Sequence, residues 1–220
     1  MSSNKHIAIF SSLLFVIPII TLLICFQIII KNYPDFFTIP FIDGKASISQ
    51  IGRGEKTIKI FRTGFSLYIL ISILFYFKLS SFLLQNGIKN KFKFYGLLAN
   101  LFLLIYIFAL GREGFIFETL RRSAIIFYIV CIYINHIYVV RVVKLLSSLK
   151  KLQFSKVYLP IFYTIIAFMT ILVIIGLPWV NPLFKYPNQL KNIVEWNFFL
   201  LTILFYIPIS FVFYQLNKKR

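Results

Sequence analysis

The chain has 220 residues, 60% of them hydrophobic, 19% aromatic and only 14% charged, with a formal net charge of +18. A soluble domain carries about 25% charged residues, and here the apolar excess falls in long runs, so a water-soluble core is excluded and one membrane domain is predicted. The basic residues sit in short loops beside those runs, where anionic lipid head groups are the expected partner and nucleic acid is not.

Six apolar runs predict an all-α, polytopic bundle of six transmembrane helices with one long first non-cytosolic loop. The first run, Ile7 to Ile30, is too long for a signal-peptide core and no small-residue cleavage site follows it, so it reads as a retained helix. Pro34 follows it as a turn signal. The other spans are expected at about 64–85, 94–111, 123–146, 157–179 and 195–216, each near the ~20 residues that cross the hydrocarbon layer. Pro18 and Pro208 are expected to kink their helices, whereas Pro160 falls in a first turn that tolerates it. Trp179, Trp196 and Tyr214 near span ends suit the interface. Cys25 and Cys131 lie inside apolar runs and read as small buried residues.

Charge orients the plan. The side holding both termini and the second and fourth loops carries thirteen of the 24 Lys and Arg residues, among them Lys89, Lys151, Lys219 and Arg220. The other side carries eleven, six of them in the long first loop, which dilutes their vote, so both termini are expected in the cytosol. All six acids, Asp35, Asp43, Glu55, Glu113, Glu118 and Glu195, fall on the opposite, non-cytosolic side. Carboxylates are costly near a bilayer core, so that side is where chemistry is expected. Inside the spans, Lys78 is expected to extend its stem to the head groups, and Asn135 with His136 to hydrogen-bond a neighbouring helix.

Loop one, Lys31 to Thr63, is the only long connection, and its Ala46 to Ile51 stretch alternates small or polar with apolar residues, which predicts an extended segment. In loop three, Glu118 is expected to sit at the N-terminus of the fourth span, and Glu195 at the start of the sixth, where the helix dipole favours a negative charge. Asp43, Glu118 and Glu195 come from three separate connections and are expected to converge at the bundle mouth, with Arg53 and Arg62 as cations on the same face. Arginine holds phosphate bidentately, which suits a phospholipid or phosphoglycan head group, while paired carboxylates suit sugar hydroxyls or acid–base work. Ser47 and Ser49 complete the candidate head-group set. A serine nucleophile would need a base, and neither His6 nor His136 is on that side, nor is there a Gly-x-Ser-x-Gly elbow. No cofactor is predicted, since no cluster of His or Cys suggests zinc and nothing fixes the acids around a hard cation.

The stretch from Pro40 through Ser47-Ile48-Ser49, Ile51-Gly52 and Glu55 to Phe61-Arg62 resembles the first luminal loop of the post-GPI-attachment-to-proteins factor two family. In that loop a proline precedes a serine-rich alternating stretch, an isoleucine-glycine pair, an acid and an aromatic-arginine pair. The broad family includes the FGF-receptor-activating protein, the damage-regulated autophagy modulators and Sfk- and Cwh-type membrane proteins. Glu118 to Phe127 is similar to the family's His-Glu segment, with Phe117 standing where His is common, and Asn192 to Trp196 is similar to its glutamate-aromatic pair. The resemblance implies a lipid-handling membrane protein. In a eukaryote it would act on GPI-type lipids in the Golgi or endoplasmic reticulum, or sit in the lysosomal or plasma membrane; in a bacterium it would lie in the inner membrane with a generic lipid role. A non-enzymatic adaptor with a membrane-protein partner, and a small transporter, are the alternatives.

Overall fold

A computed structural model describes residues 3–33, 38–89, 91–150, 155–177 and 187–218. Pro34, Asp35, Lys151, Trp179, Lys219 and Arg220 lie outside the described residues. The elements are α1 (Ser3–Asn32), α2 (Ile48–Gly52), α3 (Ile58–Gln85), α4 (Phe92–Ala109), α5 (Phe115–Lys150), α6 (Ser155–Ile175), α7 (Pro187–Leu204) and α8 (Tyr206–Lys218). Six helical stretches are long and apolar enough to cross a membrane, α7 and α8 together making the sixth. The protein is an all-α, multi-pass integral membrane protein. Large apolar side chains such as Ile20, Leu23, Leu70, Phe168, Ile171 and Phe211 point outward, as a lipid-facing surface requires and a water-facing one does not.

α1 packs against α3 and α8, α3 against α4, α4 against α5, and α6 against both α5 and α7. The packed interior is largely aromatic. Phe75 meets the Tyr206 ring edge-on at 5.6 Å, and Phe82 meets Phe213 at 5.3 Å. A few polar pairs bridge helices: Ser12 on α1 with Ser210 on α8 (2.7 Å), Asn100 on α4 to Ser72 on α3 (3.0 Å), and Tyr76 with Tyr206 (3.1 Å). Asn135 donates to the Phe92 carbonyl at the start of α4, as expected for a polar group inside a span. His136 is fully buried and lies flat on Phe205, ring centroids 3.9 Å apart. Cys25 and Cys131 are buried free thiols.

Proline acts unequally. Pro18 is carried inside a continuous α1, whereas the sixth span breaks at Phe205, between α7 and α8. Pro208 lacks the N–H that would bond the Leu204 carbonyl four residues back, and its ring clashes there, so the break falls just upstream of the proline.

Helices α3, α5 and α7 each begin several residues before the apolar run that marks them. α5 has 36 residues, about 54 Å at 1.5 Å per residue, against a hydrocarbon layer of about 30 Å. Its first two turns project past the apolar run. The same extension puts Glu195 eight residues inside α7 rather than at its N-terminus, so the dipole expectation fails for Glu195. Glu118 does stand in the first turn of α5.

Candidate functional site

Loop one closes the acid-bearing end of the bundle, and its local structure follows from a few polar groups. Ser47 has an extended backbone and caps α2: its hydroxyl accepts from the Gln50 N–H (3.1 Å), and the Gln50 side chain accepts from the Ser47 N–H (2.7 Å). This capping box converts the predicted extended stretch into a short helix, because it satisfies amide groups that an isolated strand would leave open. Ile48 and Ile51 then point inward and are buried.

One face of α7 straps this loop down. Asn192 donates to the Gly44 carbonyl (2.8 Å), Trp196 Nε1 to the Ala46 carbonyl (2.8 Å), and Asn197 to the Phe41 carbonyl (3.0 Å). Residues four apart share a helix face, so Asn192 and Trp196 reach the same strand of loop. Gly44 has φ of +59°, and a Cβ there would lie 2.1 Å from the Gln189 carbonyl oxygen; glycine is required on both counts. Phe41 packs edge-on against the Trp196 ring at 5.2 Å.

The structure distributes the predicted site residues. Asp43 is taken up by its own turn, accepting from the Thr38 hydroxyl, the Ile39 N–H (2.9 Å) and the Lys45 N–H (3.0 Å). Desolvation pushes its carboxyl upward, but those three hydrogen bonds and the Lys45 charge outweigh it and hold the group below its ordinary value of 3.8. A depressed folded-state value stabilises the turn above the ordinary pKa and loses that contribution as pH falls through the folded one. Amide hydrogen exchange, corrected for intrinsic rates, should therefore show Ile39 and Lys45 losing protection as pH drops below 3.8, and Asp43→Asn should show partial loss already at neutral pH. Unchanged protection in acid would disprove the role.

Arg62 donates to the Ile107 carbonyl (3.1 Å) and to the Phe108 and Leu110 carbonyls, so it caps the C-terminus of α4; cations are favoured there and the carbonyls are otherwise open. Ser49 shares a 2.9 Å hydrogen bond with Ser47. Glu118 pairs with Arg122 one turn on, both exposed, and such a pair is worth little.

Two cavities flank α2. The outer one is a cleft of about 550 Å³ lined by Gln50, Arg53, Gly54, Gly111, Arg112, Glu113, Gly114, Glu118 and Arg121. Arg121 is fixed there by the Ala109 (3.2 Å) and Arg112 (2.7 Å) carbonyls, and the Arg112 guanidinium lies 5.3 Å over the Phe117 ring. The Arg53 side chain makes no hydrogen bond or ion pair among the described residues and is exposed, while its backbone N–H donates to the Ser49 carbonyl (3.0 Å). Phe115 and Ile116, at the start of α5 beside the cleft, are exposed at 83% and 70%. Apolar side chains this exposed next to arginines are what a bilayer interface accommodates.

The inner cavity, about 40 Å³, lies beneath α2 and is walled by Ile48, Phe61, Phe65, Leu103, Ile125, Ile129, Phe198 and Phe199, with Tyr106, Tyr128 and Glu195 as its polar members. The structure therefore brings Arg53 and Glu118 together in the outer cleft and places Glu195 alone in the inner one. Asp43, Ser47 and Arg62 are engaged in holding loop one and the helix ends. Sequence reasoning missed Arg112, Arg121 and Tyr106. The two arginines lie in the loop-three segment that also carries Glu113 and Glu118, which was a usable signal; a tyrosine within an apolar run gives none. No family model, curated protein or solved structure matches this chain.

Proposed function

We propose that this membrane protein handles lipid by binding a phosphate-bearing head group, of a phospholipid or glycolipid, in the outer cleft. The observation that carries the reading is the trio Arg53, Arg112 and Arg121 on one cleft, flanked by the exposed Phe115 and Ile116 that would seat it at the head-group level. Guanidinium groups bind phosphate oxygens through paired, charge-assisted hydrogen bonds. Glu113 and Glu118 on the opposite wall suit sugar hydroxyls or an amine. With both termini in the cytosol, the cleft opens on the non-cytosolic leaflet. The loop-one resemblance extends the proposal to GPI-type glycolipids in a Golgi-like compartment where the source makes such anchors, and to envelope phospholipids where it does not.

The test is lipid selectivity. Detergent-purified protein offered phosphatidylglycerol and diacylglycerol of identical acyl chains should retain the phosphate-bearing lipid about tenfold better, as one charge-assisted contact of ~1.5 kcal/mol requires. Native mass spectrometry reads the ratio directly. Equal retention of the two lipids would defeat the proposal.

A further inference from the structure

The inner cavity holds two polar groups that the fold leaves unused. The Tyr106 hydroxyl is buried, in a residue only 5% exposed, and has no partner at hydrogen-bonding distance, the Ser49 hydroxyl being the side chain that acts on it from further off. A buried hydroxyl left unpaired is costly. The Glu195 carboxylate, on the same cavity, makes no hydrogen bond or ion pair among the described residues. The charged groups around them come from three elements: Lys191 one turn earlier on α7, Arg53 after α2, and Arg121 on α5. None of the three is bonded to Glu195 or Tyr106. The remaining walls are apolar, with Phe61, Phe65, Phe198 and Phe199 supplying aromatic rings.

We infer that the inner cavity is a binding site for a primary ammonium group, carried on the same ligand whose phosphate the outer cleft holds. The inference rests on the head-group reading above and narrows it to a phosphoethanolamine-type group. Three features select that chemistry. A carboxylate set among aromatic rings attracts a cation both by charge and through the ring faces. The unpartnered Tyr106 oxygen accepts a hydrogen bond, which a primary ammonium can donate and a quaternary one cannot. The cavity is small, about 40 Å³, which favours a compact group such as –NH₃⁺ over a bulkier trimethylammonium. The two cavities lie on either side of α2, with Gln50 lining the outer one and Ile48 the inner one.

The experiment compares three lipids of identical acyl chains on the detergent-purified full chain: phosphatidylethanolamine, its N-acetylated form and diacylglycerol. Wild-type protein should retain phosphatidylethanolamine about tenfold over the N-acetylated lipid, the loss expected when a charged hydrogen-bond donor becomes neutral. Glu195→Gln and Tyr106→Phe should each lose that preference while still favouring N-acetylated lipid over diacylglycerol. Tyr106→Phe removes one oxygen and keeps the packing, so it reports on the site if Glu195→Gln fails to fold. Equal retention of the free and N-acetylated amine, or an amine preference that survives both substitutions, overturns the ammonium site and leaves the head-group reading standing. Failure of either phospholipid to exceed diacylglycerol overturns the head-group reading itself. Soluble phosphoethanolamine serves as competitor. Displacement at concentrations matching the lipid identifies a free ligand, displacement only in large excess identifies the lipid, and either supports the site.

Discussion

Removing the guanidinium groups of Arg53 and Arg112 together, as Arg53→Ala/Arg112→Ala, is expected to weaken retention of phosphate-bearing lipid on the order of tenfold to a hundredfold. The range follows from one to two lost charge-assisted contacts at ~1.5 kcal/mol each, taken at the low end because the cleft is open to solvent. The choice of residues matters. Arg121 and Arg62 also satisfy helix-end carbonyls, so their loss would mix binding with folding. Arg53 and Arg112 are exposed, and among the described residues the Arg112 side chain contributes only its stacking on Phe117, worth about 0.5–1 kcal/mol at an exposed site, while its backbone bonds to Ala109 and Arg121 survive the substitution. Thermal stability of the double variant should therefore stay near wild type while lipid retention falls. Arg53→Lys should keep the charge but lose the two-pronged geometry, and so fall between the two. Lipid retention unchanged in the double variant would show that the cleft is not where the head group sits.

The second large effect concerns how the bundle is held together. Gly64 on α3 lies against Thr21 on α1, and a Cβ built there would come within 2.1 Å of the Thr21 hydroxyl oxygen and 2.5 Å of its methyl carbon. Thr21 is buried and its hydroxyl is committed to the Ile17 carbonyl at 2.8 Å, so it has little freedom to turn aside. In lipid there is no hydrophobic drive between helices, and small residues that allow close approach supply the packing instead. Gly64→Ala is expected to destabilise the protein by about 1–3 kcal/mol through overpacking, seen as a lower apparent Tm in detergent. Thr21→Gly in the same chain removes the obstructing atoms, and the pair should recover part of the loss, with a coupling of about 0.5–3 kcal/mol. Strictly additive losses would show that α1 and α3 do not meet at this point.

Much of the architecture was legible in the chain. Apolar run length is a local property, and lipid demands internally bonded backbone over that length, so six runs could only become six helices. The gathering of Asp43, Glu55, Glu113, Glu118 and Glu195 at the end closed by loop one was legible for the same reason, since each lies between runs that emerge there. The apolar alternation of Ala46 to Ile51 predicts an extended segment, but Ser47 and Gln50 stand at the capping-box spacing and the short helix α2 forms instead. The helices begin at Phe115 and Pro187, upstream of the expected starts, because hydropathy marks where lipid begins and not where the helix does.

Composition and the order of apolar runs determined by themselves that this is a multi-pass helical protein with its carboxylates segregated from most of its lysines. Only the tertiary structure decided which of those polar groups remain available. Asp43 and Arg62 are consumed by backbone amides and carbonyls, one of them 48 positions away in sequence, whereas among the described residues the Arg53 and Glu195 side chains and the Tyr106 hydroxyl have no partner at hydrogen-bonding distance. The physical reason is that a side chain's character is written in its own residue, but whether its hydrogen-bonding capacity is already spent depends on backbone brought to it from elsewhere in the chain.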